Sequence, residues 1–174
     1  GKIPFAFLSL LALSVQCCLA ASNGLSLSAA LDHLSPHKDL RVQLKNMSAT
    51  ALDVYVGAIE GIKEYNFRFT ATAPNGKQHE LFNLNGKQVV AGLLVPIVIR
   101  LAPGASRTFV FHLHDLGYFR TGGPVRLGTL LQKGDSIQVS FRVRQRDLET
   151  AQMGGLHSPV HLWTGRVRSS QIHF

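Results

Sequence analysis

Tyr65-Asn66-Phe67-Arg68-Phe69-Thr70-Ala71 alternates aromatic and polar residues. An extended chain with that order carries three rings on one side and Asn66, Arg68 and Thr70 on the other. Period two marks a strand buried on one face only. The pattern repeats in both directions, in Arg41-Val42-Gln43-Leu44-Lys45, Leu52-Asp53-Val54-Tyr55-Val56, Arg107 to Leu113 and Ile137 to Arg144. Asn75-Gly76 and Asn85-Gly86 supply positive-φ pairs suited to hairpins, and Pro103-Gly104 and Gly134-Asp135 precede strands. The reading is all-β, an antiparallel β-sandwich of seven or eight strands. Leu27 to Leu34 is the one helical expectation. Trp163, the only tryptophan, is expected between the two sheets.

The 174 residues fit one domain, and 45% hydrophobic against 16% charged residues excludes disorder. Lys2, the apolar run from Phe5 to Val15, and Cys18-Leu19-Ala20 have the parts of a secretory leader. Residues 1–20 are therefore expected to be cleaved, leaving a single sandwich domain over 21–174. That mature chain would be exported, periplasmic or extracellular, with no transmembrane span. Cys17 and Cys18 depart with the leader, which excludes thiol catalysis and cysteine-ligated metals in the mature chain. Asn46-Met47-Ser48 is both a glycosylation sequon and a plausible strand-end turn.

The apolar run Val89 to Ile99 admits two readings, a loop leading into a core strand near Pro96, or an exposed apolar loop at Gly92 to Val95. No nucleophile elbow, zinc-protease helix or phosphate loop is present, and no enzyme activity or cofactor is expected. Asp147 and Glu149 have the spacing of a same-face acid pair, but beside Arg144 and Arg146 they read as ion pairs. His112 and His114, two apart on a strand, and His157 and His161, four apart, are weak candidates for metal ligands. The first two fall on the polar face opposite Phe109 and Phe111, where solvated histidines need no ligand.

The formal charge is +8, from 18 Lys and Arg against 10 Asp and Glu. Arg142, Arg144 and Arg146 follow period two, and so do Arg166 and Arg168. If their strands pair, five guanidinium groups collect on the outer sheet face as a site for an anionic surface polymer or a lipid head-group layer; the expected partner is an unidentified protein or an anionic envelope polymer. Nucleic acid is not expected, since the aromatics of these strands point inward.

Leu40 to Ser48 resembles the strand-Asn-x-Ser opening of bacterial immunoglobulin-like modules. Tyr65 to Phe69 through Asn75-Gly76, with Leu101 to Ser106 and Phe109 to Phe111, is similar to the bacterial intracellular proteinase inhibitor type of sandwich. Trp163 to Ser170 looks like the closing strands of exported sandwich proteins. The resemblance implies an immunoglobulin-like sandwich. Its second implication is protease inhibition, although no reactive-site segment matches residue by residue. The expectation is a non-enzymatic domain acting in binding or structural support at the cell envelope, with protease inhibition and histidine-based metal binding as alternatives.

Overall fold

The computed structural model describes residues 23–32, 38–60, 62–84, 95–127, 131–153 and 162–174. Within them the chain runs through β1 (Leu25–Asp32), β2 (Asp39–Asn46), β3 (Leu52–Glu60), β4 (Ile62–Tyr65), β5 (Phe67–Thr72), β6 (Gln78–Asn83), β7 (Val95–Leu101) and β8 (Ser106–His112). A 3-10 turn (Leu113–Asp115) leads to β9 (Leu116–Arg120), β10 (Gly123–Arg126) and β11 (Ser136–Val143). Then come α1 (Gln145–Met153), β12 (Gly165–Arg168) and β13 (Ile172–His173). The expectations for residues 1–20, Asn85-Gly86, Gly92 to Leu94, His157 and His161 lie outside the described residues.

Three antiparallel sheets result: β1-β2-β8, β4-β3-β7, and a seven-stranded sheet ordered β10-β9-β6-β5-β11-β12 with β13 also on β11. Phe67, Phe69 and Phe141 of the large sheet face Phe109 and Phe111 of β8. Phe67 lies 4.9 Å, centroid to centroid, from both Phe109 and Phe141, and Phe69 lies 4.9 Å from Phe111. Tyr65 closes one side at 5.1 Å from Phe109. The fold is an all-β sandwich. Full burial of one such ring contributes roughly 1.5–3 kcal/mol, and Phe141 is completely enclosed.

Two expectations are corrected here. The described residues contain thirteen strands, not seven or eight. The additional ones include β4, β10 and β13, of four, four and two residues, too short to display an alternating pattern. The helical expectation over Leu27 to Leu34 also fails where the chain is described. Leu25 to Asp32 pairs with β2 over eight register positions. Leu25 and Leu27 are buried, and Ala29 and Leu31 pack on the same core. Pairing and burial on a period of two override the helix preference of Ala and Leu.

Asn46 is the corner piece. The β2–β8 ladder ends at Lys45 opposite Ser106, and the β3–β7 ladder resumes at Leu52 opposite Leu101. Between them the Asn46 side chain is fully buried. Its Nδ2 donates to the carbonyls of Leu101 (2.9 Å) and Thr50 (2.7 Å). Its Oδ1 accepts from the Ser48 N–H (2.8 Å) and hydroxyl (2.7 Å). The amide uses all four of its hydrogen-bonding positions, so neither Nδ2 hydrogen is open to glycan attachment in the folded chain. The Asn-x-Ser triplet is a strand-end turn.

Trp163 is 5% exposed, stacks on Phe141 at 5.8 Å and donates its indole N–H to the Asn23 carbonyl at 3.1 Å. A Cβ on Gly165 would lie 2.8 Å from its ring, and Gly165 takes φ +154°. Glycine is the residue that lets β12 start against the indole.

Candidate functional site

From Ile137 on, β11 alternates: Ile137, Val139, Phe141 and Val143 are buried, which turns Gln138, Ser140 and Arg142 to the outer face. β12 pairs directly with it, Arg142 opposite Arg166 and Ser140 opposite Arg168. Beyond β12 the chain stays pinned. Ser169 N–H donates to the Val139 carbonyl (2.8 Å), and the Val139 N–H donates to Ser169 Oγ (3.0 Å). Arg142, Arg166 and Arg168 therefore share one corner of the outer face, all exposed.

Arg144 and Arg146 leave that row, which corrects the expected five to three. β11 stops at Val143, and Arg144 becomes the residue that caps α1. Its N–H donates to Asp147 Oδ2 (2.8 Å), while its guanidinium Nη2 donates to Asp147 Oδ1 (2.8 Å). An acidic side chain reaching back from the third helical residue is the capping arrangement expected of such a start. Burial works to raise the Asp147 carboxyl. The hydrogen bonds and charge of Arg144, with Arg142 adding its charge, outweigh that and hold it below the usual range. Arg146 lies on α1, beyond the last β11–β12 register pair, Val143 with Gly165. On that helix Asp147 and Glu149, two apart, do not face each other, so no acid pair forms.

Among the described residues, no carboxylate forms an ion pair with Arg142, Arg166 or Arg168. Burial, then the charges of Arg168 and Arg142, push the Arg166 guanidinium below its ordinary value. Below Arg166 and Arg168 lies an open cleft of about 180 Å³, also lined by Ser140 and Gln138 of β11 and by Thr70 and Thr72 of β5, with Gln78 and Gln171 at its margins. Compact ligand pockets hold roughly 300–1,000 Å³. This cleft suits a charged group or a segment of a longer chain.

Further along the same face, Phe82 and Phe119 are 45% and 69% exposed, with centroids 6.2 Å apart. Sequence reasoning missed them. Their one signal is position: Phe82 follows buried Leu81 and therefore points outward. Between aromatic pair and arginines, Arg68 Nη1 meets Glu80 Oε1 at 2.8 Å.

The histidines sit elsewhere. His112 Nδ1 bonds Asp39 Oδ1 at 2.7 Å, and the imidazole rings of His112 and His114 stack at 5.5 Å. The hydrogen bond to Asp39 raises His112 above its ordinary value, against a lowering by burial, with the charges of Asp39 and Asp115 adding to the rise. His114 Nε2 approaches Asp115 Oδ1 at 2.9 Å. The 3-10 turn brings these neighbours together, where a continuing strand would have held them apart. Among the described residues no three His, Cys, Asp or Glu side chains gather as metal ligands, and no helix is long and apolar enough to cross a membrane. No protein-family model and no curated protein matches the chain.

Proposed function

We propose that the chain is an exported, immunoglobulin-like binding module of the bacterial cell envelope. In this reading its outer sheet face holds anionic groups through Arg142, Arg166 and Arg168. The observation that carries it is the cross-strand placement of Arg142 opposite Arg166, with Arg168 two residues along from Arg166 and diagonal to Arg142, and no carboxylate paired with any of the three among the described residues. Like charges opposite one another on a sheet destabilise it, so an external anion is the natural counter-charge. The guanidinium fork suits carboxylate, sulfate or phosphate oxygens. Support for export comes from the leader-like residues 1–20.

The test is elution from an immobilised anionic polysaccharide across a salt gradient. Arg142→Gln, Arg166→Gln and Arg168→Gln together should move elution to much lower salt than Lys45→Gln, Arg107→Gln and Lys133→Gln, which remove the same charge elsewhere. Equal shifts would assign retention to net charge alone.

A further inference from the structure

The basic corner is one end of a longer surface. The face continues from β12 across β11, β5 and β6 to β9, four inter-strand intervals or about 19 Å. Its composition changes in order. Three arginines stand at one end, then come the neutral hydroxyls and amides of Ser140, Gln138, Thr70 and Thr72, then the exposed Phe82–Phe119 pair. The one cation and one carboxylate in the middle, Arg68 and Glu80, are already bound to each other.

Resting on the anion-binding reading, we infer that the ligand of this face is an acidic polysaccharide lying across the strands. Its carboxylates meet Arg166 and Arg168, its hydroxyls meet the amide and hydroxyl side chains, and the apolar face of a sugar ring covers Phe119 and Phe82. The order of the side chains selects this chemistry over other polyanions. A phosphodiester strand carries charge at every link and is met by cations along its whole track. On this face, among the described residues, the three arginines without an ion pair stand at one end, Arg126 at the aromatic end is engaged by the His114 carbonyl, and Glu80 would stand beside the phosphates further on. A hydroxyl-rich chain with spaced carboxylates uses the neutral middle, which a phosphate chain does not. Exposed aromatic rings with one open face favour a flat, partly apolar partner.

The experiment measures binding of hyaluronan, in which uronates alternate with neutral amino sugars, and of polyphosphate and oligo-dT of matched length by isothermal titration. Wild-type protein is compared with Phe119→Ala and with Arg166→Gln/Arg168→Gln. Phe119 is a surface side chain at 69% exposure, so its removal leaves the core intact, and circular dichroism confirms folding of each variant. Hyaluronan should bind most tightly. Phe119→Ala should weaken it about five- to tenfold, the scale of one aromatic contact, and leave polyphosphate unchanged, while the arginine variant weakens both. Arginine-dependent binding that ignores Phe119→Ala, or a preference for oligo-dT or polyphosphate, overturns the polysaccharide inference and leaves the anion site standing. Binding that ignores the arginine variant overturns both.

Discussion

Two outer faces of this sandwich treat their charges in opposite ways. On the outer face of the β1-β2-β8 sheet two cationic side chains are matched by carboxylates, while Lys45 has no ion pair among the described residues. Arg41 holds Asp32 at 2.7 Å, and His112 holds Asp39 at the same distance. Where the sheet leads into the 3-10 turn, His114 approaches Asp115. At the β11–β12 corner, Arg142 faces Arg166 across the ladder, and Asp147, on which the charge of Arg142 also acts, is ion-paired with Arg144. The first arrangement neutralises Arg41 and His112 in place. The second stays positive until something binds, and it sits over an open polar cleft. A basic sequence alone does not separate the two cases, because both contribute to the same +8. The difference lies in where the carboxylates end up.

The largest expected effect removes the support under the unmatched corner. Trp163→Ala should cost about 3–5 kcal/mol in urea denaturation, since it leaves a cavity beside Phe141 and frees the start of β12. Polysaccharide retention should fall with it, even where the variant remains folded. Asn46→Ala attacks the other side of the comparison. Losing its donors and acceptors at the buried corner should cost about 1–3 kcal/mol, while retention at fixed salt stays at the wild-type value. A loss of retention in Asn46→Ala matching that in Trp163→Ala would erase the distinction between the faces.

Most of the architecture was legible because its signal is local. Alternation over Tyr65 to Ala71 and Ile137 to Val143 identified two strands that pair side by side in the large sheet, and period two likewise located Arg142, Arg166 and Arg168. The failures arise where local pattern and tertiary context part. Leu25 to Asp32 contains good helix formers, but its partner strand β2 decides its state. Period two runs on through Arg144 and Arg146 although the backbone turns helical after Val143. Asp147, three residues beyond Arg144, is the capping signal that marks the change. Phe82 and Phe119 are far apart in sequence, and only the β6–β9 pairing of Phe82 with Gly117 brings their strands together.

A smaller effect sharpens the matched face through pH. His112 is raised by Asp39, so its contribution to stability is complete below the unfolded value of about 6.5 and is lost as pH rises through the higher folded value. Asp39→Asn should return the His112 titration, followed by NMR, toward the ordinary range and cost under about 1 kcal/mol at pH 6. Arginines do not titrate there, so retention on the polyanion should be flat from pH 6 to 9 in both proteins.

The most direct measurement is the denaturation midpoint of the Arg142→Gln/Arg166→Gln/Arg168→Gln variant, with and without hyaluronan in low-salt buffer. Without polymer the variant should exceed wild type by up to about 1 kcal/mol, because cross-strand repulsion is relieved. With polymer, wild type should gain stability by linkage to binding, and the variant should gain little. A variant less stable than wild type without polymer, or one stabilised by the polymer as much as wild type, would contradict the claim that this corner of the sheet is held open for an anion.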